Sequence, residues 1–399
     1  MNLLGRQHLL ACGMTAALAA GVAGCAGATT TGSTVTGSTL TIYSSEPAQI
    51  AGTRQAQDVL AAEQLALDQA GGQVGHFKIK LSVLHGGKVS DNARTAIEDT
   101  STIAYLGEIP QHASADSLGI TNAQDVLQVT PFDTALELTQ TTPALSGAPT
   151  IYYESLKTYG RTFGRVVPAN DTEAVAQARE MAAVHVARLY VTDDGGPYGK
   201  AVAAAVRSDA AKQSIPVTEG DGTVAKVRAS GADAVFLGAS DATAAARLFD
   251  AIAADNPKTK LFGPTGLDTP AFAGAISAAA QRNTYISSPG FLPADLTQAG
   301  RKFIADFRAA EGRDPVQSAI FGYEAMAVVL DVLRRTGATT PSLAGNRSDV
   351  VKEFFNTKDR ASVLGTYSVN QNGDISIAPY VFSHFKLSTL VPFVAVQGN

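Results

Sequence analysis

The chain has 399 residues, 31 Lys+Arg against 36 Asp+Glu for a formal net charge of −5, and 45% hydrophobic side chains. A mildly acidic chain without basic runs lacks the electrostatic footprint of a nucleic-acid binder. Two cysteines, Cys12 and Cys25, supply neither a disulfide scaffold nor a thiolate metal cluster, so stability must come from apolar cores, of which the length predicts two or more.

Residues 1–24 read as a secretion signal: a basic Arg6, an apolar run from Leu9 to Ala23, and small residues before Cys25. The run is short for a permanent membrane span. Val22-Ala23-Gly24-Cys25 resembles the bacterial lipobox. That resemblance implies cleavage after residue 24, acylation of the Cys25 thiol and a lipid anchor on the extracytoplasmic face of the membrane. A plain secretory signal with an incidental cysteine is the alternative. Loss of Arg6 leaves 30 basic against 36 acidic residues, a net charge of −6. Residues 25–38 are small and polar and cannot offset their ordering entropy by burial, which predicts a flexible tether. Folded structure is expected from Leu40-Thr41-Ile42-Tyr43, and no later segment is long and charge-free enough to cross a membrane.

From there strand and helix signals alternate. Val59, Ala62, Ala66, Leu67 and Ala70 share a helical face that stops at Gly71-Gly72. Phe77–Leu84 is a predicted strand, followed by short apolar runs at Thr102–Leu106 and Val126–Val129. Asn170 or Asp171 is placed to cap a helix running to about Val184, with Glu173 in the first turn where the macrodipole favours an acid. Arg188–Thr192, Ala234–Leu237 and Lys260–Phe262 continue the strands, separated by helices over Gly199–Ala211 and Asp241–Ala254. Residues 315–336 form a long helix with an apolar face, and 363–397 read as β-structure with a turn at Asn372-Gly373. Short buried strands joined by amphipathic helices mean βαβ units and mainly parallel sheets, here two of them.

Catalytic signatures fail in turn. The six histidines, His8, His76, His85, His112, His185 and His384, form no metal-ligand spacing. There is no GxSxG elbow and no GxGxxG after the first strand. Gly195-Gly196-Pro197-Tyr198-Gly199-Lys200 mimics a phosphate loop, but Asp194 and Ala201 stand where that loop needs Gly and Ser or Thr. Pro197 also removes a donor that a phosphate cradle would use. No enzyme, metal or cofactor is expected. The loop nevertheless lies at a strand-to-helix edge, where open α/β sheets bind ligands.

Arg188-Leu-Tyr-Val-Thr-Asp-Asp-Gly-Gly-Pro-Tyr-Gly-Lys-Ala resembles the strand-loop-helix of the type I periplasmic binding proteins, within them the branched-chain amino-acid (Leu/Ile/Val) receptor family of ABC importers. Six other stretches agree in order: Ala62–Gly72, Ile103–Glu108, Val129–Thr134, Arg165–Asp171, Phe321–Met326 and Leu364–Asp374. The resemblance covers nearly all of residues 40–395. It implies an α/β fold of two Rossmann-like lobes with parallel sheets, joined by a three-crossover hinge. Lobe 1 would span about 39–160 and 288–360, and lobe 2 about 161–287 and 361–399. A small polar solute, an amino acid or a related compound, would be clamped by hinge closure and handed to ABC permease subunits.

The same resemblance nominates contact residues. His112, Ala113 and Ser114 fall on or beside a binding serine whose N–H groups receive a ligand carboxylate; His112 is equally read as a loop imidazole. Asp133 and Thr134 align with a small and a hydroxyl residue. Asp133 departs from that pattern, because an acid opposes a carboxylate, and its other reading is a helix N-cap. Tyr198 aligns with a tyrosine that packs on the ligand. Ser240 and Asp241 align with a further contact or cap the next helix. Thr265 stands where amino-acid receptors carry a glutamate for the ligand ammonium, which puts a zwitterionic ligand in question unless Asp133 or Asp241 substitutes. A sensor or envelope-protein regulator on the same fold, with a filled cleft, is the competing function.

Overall fold

The computed structural model describes residues 34–339 and 345–399. Strands β1 (Thr39–Glu46), β2 (Gln73–Val74), β3 (Phe77–His85), β4 (Thr102–Leu106), β5 (Leu127–Thr130) and β6 (Phe163–Arg165) form the first sheet, in the order β2-β3-β1-β4-β5-β6. All its pairings are parallel except β2 with β3. The second sheet holds β7 (Leu189–Asp193), β8 (Val217–Glu219), β9 (Ala234–Gly238), β10 (Lys260–Gly263) and β11 (Thr284–Pro289). After a small hairpin of β12 (Arg360–Ser362) and β13 (Gly365–Tyr367), it is completed by β14 (Pro379–Lys386) and β15 (Thr389–Gln397), in the order β15-β14-β11-β10-β9-β7-β8. β14 pairs antiparallel with both β11 and β15, and the other pairings run parallel.

The crossover helices are α1 (Arg54–Gln69), α2 (Val89–Glu98), α3 (Ala115–Asn122), α4 (Leu156–Tyr159), α5 (Asn170–Ala183), α6 (Pro197–Lys212), α7 (Val224–Ser230) and α8 (Ala242–Asp255). They continue with α9 (Pro270–Ala275), α10 (Ala278–Gln281), α11 (Gln298–Glu311), α12 (Ala319–Thr339) and α13 (Arg347–Phe355). The expected apolar face of α1 is buried, the Thr53 hydroxyl caps its start, and Gly71 (φ +79°) and Gly72 (φ +63°) turn the chain at its end. α12 lies against it so closely that a Cβ on Gly322 would stand 2.7 Å from the Val59 carbonyl oxygen. Helices on both faces leave central strands such as β4 wholly buried, which is why they read as apolar runs without alternation.

The chain passes between the sheets after β6, after β11 and before β14. Two expectations shift. β6 pairs with β5, and Val363, Leu364, Tyr367, Val369 and Ile375 pack in the first core, so both divisions fall later than residues 160 and 360. The apolar side chains of this hairpin find their partners on α11 to α13, not on the second sheet. The expected tether also ends early. Val35, the only branched apolar residue in that stretch, is 5% exposed, joins the first core and donates its N–H to Gly345 O at 2.7 Å. The signal and Cys25 lie outside the described residues.

Candidate functional site

The parallel strands of both sheets deliver their C-terminal ends to the crease where the two halves meet. On the first-sheet side β5 runs into Pro131-Phe132-Asp133-Thr134, and Arg165 at the end of β6 holds that turn in place. Arg165 is fully buried. Its guanidinium donates to Asp133 O at 3.0 Å, Ala135 O at 2.9 Å and Thr139 Oγ1 at 3.0 Å, and pairs with Asp374 at 2.9 Å. A buried cation so engaged is a strut that fixes the turn.

The sequence-nominated residues come together here, but on one another. The Asp133 carboxylate accepts from His112 N at 2.8 Å, Ser114 N at 2.9 Å and Ala135 N at 3.2 Å. The Asp133 side chain is turned onto the chain itself: it closes the turn after it through Ala135 N and fills the N–H cradle before α3, while the short helical turn Leu136–Leu138 that follows takes no side-chain cap from it. Burial pushes its carboxyl up, opposed by the Ser114 N–H and the Arg165 charge. The Ser114 hydroxyl accepts from Glu108 N at 3.2 Å, and Ala113 N is taken by Pro110 O. The His112 ring is not a free loop imidazole: its Nδ1 lies 2.6 Å from Glu137 Oε1. Burial works against the imidazolium, but the Glu137 bond and charge prevail and hold its pKa above the ordinary value. Thr134 Oγ1 donates to Gln111 Oε1 at 2.7 Å and sits beside the Tyr198 hydroxyl.

On the second-sheet side Tyr198, in the first turn of α6, is 2% exposed and accepts from Gly266 N at 3.0 Å. Burial drives its phenol pKa well up. Its ring belongs to a core cluster that also holds Leu118, Ala135, Leu138 and Tyr153 from the first-sheet half, so the two halves touch directly at this point. Thr265 is buried, and its N–H and hydroxyl both donate to Glu173 Oε1, at 2.7 and 2.8 Å. An acid does stand at this corner, but it is Glu173 from the first turn of α5, not Asp133 or Asp241. Ser287 Oγ also donates to it at 2.6 Å, while Glu173 Oε2 is buried without a partner. Burial lifts its carboxyl to about 7, against the Ser287 and Thr265 bonds. Asn170, expected as a cap of α5, is its first residue; its Oδ1 instead accepts from Leu136 N across the crease at 2.8 Å. Ser240 and Asp241 are exposed; Asp241 caps α8 by accepting from Thr243 N and Ala244 N, and Ser240 N donates to Asp194.

None of these expected contact residues lines the cavity that the crease does contain. Its volume is about 570 Å³, within the range of small-molecule sites. Phe132 and the Pro315–Ser318 loop wall it from the first-sheet half, and Asp268, Thr269, α9 and the β14–β15 hairpin from the second. Arg54, Pro270, Gly274 and Thr389 are exposed at its mouth. Asp268 and Ser318 were missed in the sequence. The available signal for Asp268 was an acid just past the Gly263-Pro264 strand end; Ser318, before an apolar helix, carries none.

Two facing α/β sheets joined by repeated crossings, with a cavity in the crease, define a two-lobed ligand-binding receptor fold. A family profile described as "Periplasmic binding protein" matches residues 48–346, and the chain belongs to that family of non-catalytic receptors. No curated sequence matches it. Among solved structures it is similar to a leucine-binding protein of Thermotoga maritima, at 18% identity and a TM-score of 0.72, covering 90% of this chain and 98% of that one. It is also similar to a branched-chain amino-acid transporter substrate-binding protein of Streptococcus pneumoniae in complex with isoleucine, at 15% identity and TM-score 0.65, covering 90% and 99%. A third is an ABC-transporter solute-binding protein of R. palustris in complex with benzoate, at 15% identity and TM-score 0.67, covering 90% and 96%. At these identities the likeness is one of fold.

Proposed function

We propose that the chain is the solute-binding receptor of an ABC importer, held outside the cytosol by a lipid on Cys25, and that it delivers a small polar solute to permease subunits. The observation that carries this reading is the cavity of about 570 Å³ built from both halves of a periplasmic binding protein fold. The structural neighbours include proteins described with leucine, isoleucine and benzoate, all small solutes of a size the cavity admits. The Val22–Cys25 pattern supports the anchor, and among the described residues no helix is long and apolar enough to cross a membrane. One observation favours the competing role of sensor or envelope-protein regulator: at Asp133, Thr134, Tyr198 and Thr265 the crease is closed by the protein's own groups.

A thermal-shift screen against amino acids, amides, amines and small organic acids separates the two. A receptor gains melting temperature with ligand concentration by mass action. A flat response across the screen, with a protein partner captured from an envelope extract, supports the regulator instead.

A further inference from the structure

The chemistry left free in the cavity indicates a class of solute. Of the residues lining it, only Arg54 and Asp268 are ionisable. Arg54 is already engaged: its Nε lies 3.0 and 2.9 Å from the two Asp58 oxygens, and Nη2 donates to Asp314 O at 2.7 Å. Among the described residues no Lys, Arg or His stands within ion-pair distance of the Asp268 carboxylate; its polar neighbour is the Ser288 hydroxyl, which is buried and makes no hydrogen bond of normal geometry. Across the cavity Ser318, 3% exposed, lines the wall with its hydroxyl unpartnered. The rest of the wall is uncharged: Phe132, Val316, Val381 and Leu390 give it an apolar surface, interrupted by the amides of Gln55 and Gln317 and by threonine and serine hydroxyls.

Backbone donors that would welcome an anion are occupied elsewhere in the crease. The N–H groups of His112, Ser114 and Ala135 converge on Asp133, and Thr265 N converges on Glu173. Behind the half-buried Asp268 stands Glu173, a fully buried acid held by hydroxyl and N–H donors and near enough for the Asp268 charge to raise its pKa. A buried carboxylate lacking a counter-charge is costly, and a bound cation removes that cost.

We infer that the cavity takes a primary organic ammonium with an apolar body, its head on Asp268 and Ser318, in preference to a free carboxylate. This rests on the receptor reading above and narrows it. The solute is then an amine, distinct from the zwitterions and aromatic acids of the structural neighbours.

The test is titration calorimetry of the protein with two matched pairs: 3-methylbutylamine against leucine, and benzylamine against benzoate. The amines bind more tightly than the carboxylates, and Asp268→Asn weakens amine binding by about thirtyfold with no fall in the melting temperature of the unliganded protein. Tighter binding of leucine or benzoate overturns the ammonium assignment and leaves the receptor reading standing. Amine binding unaffected by Asp268→Asn also overturns it. Silence from all four probes, with a flat screen, overturns both. The wild-type ligand comparison decides even if the variant does not fold.

Discussion

A single carboxylate, Asp133, changes what this crease can accept. Three backbone donors are satisfied by it from within the chain. Asp133→Ala should leave them buried and unpaired, costing about 1–3 kcal/mol for each donor left dry. The melting temperature should fall, and millimolar formate should restore part of it by supplying the missing oxygens. A variant as stable as the wild type, with no response to formate, contradicts this account of the cradle. The buried glutamates add a pH dependence. Burial lifts Glu63 to about 8, with the Ser44 hydroxyl opposing, and lifts Glu108 and Glu173 to about 7, each from 4.5. The folded carboxyls keep protons that the unfolded chain has lost. Their stabilisation is complete below about pH 4.5 and disappears as pH rises through about 7 to 8. Glu63→Gln should therefore gain stability relative to the wild type as pH rises from about 5 to 8. A difference that stays constant in melting curves across that window contradicts the shift.

At the level of elements, α6 shows how a reading of sequence finds a segment and misses its role. The strand, loop and helix over 188–212 are legible because Leu189–Val191 is apolar, Gly195 turns (φ +83°) and Pro197 starts the helix. Where the Tyr198 ring goes is decided 68 residues away, at Gly266, and so is not written locally. The same holds for Asp133 with Ser114 at 19 residues and Glu173 with Thr265 at 92. The central parallel strands were readable from composition alone; β6 and the β12–β13 hairpin, short and only partly apolar, took their places from tertiary contacts. Since Tyr198 packs as core, Tyr198→Ala should cost about 3–5 kcal/mol, and Tyr198→Phe about 1–3 kcal/mol through the orphaned Gly266 N–H. Denaturant titration reads both, and an alanine variant of wild-type stability contradicts the packing. Gly199 tests the approach of α6 to β9, because a Cβ there would lie 2.5 Å from the Gly238 carbonyl oxygen. Gly199→Ala should destabilise despite the better helix propensity of alanine.

For the whole molecule the halves are held together by more than their crossings. Leu118, Ala135 and Leu138 pack against Tyr198 and Val202, and exposing one such leucine costs about 1.5–3 kcal/mol. This packing favours the closed arrangement, while the cavity mouth at Arg54, Pro270 and Gly274 is exposed. Small-angle scattering should accordingly show little change in radius of gyration when a solute binds; a large contraction would mean that the unliganded protein is mainly open. The central claim is that the cavity between the two halves is where a diffusible solute resides. Its most direct test is calorimetry of the best ligand from the screen with wild type and with Ala273→Trp, which places an indole against the cavity wall at a half-buried position. The account predicts that the variant keeps its fold and loses binding; undiminished affinity would place the solute elsewhere and contradict it.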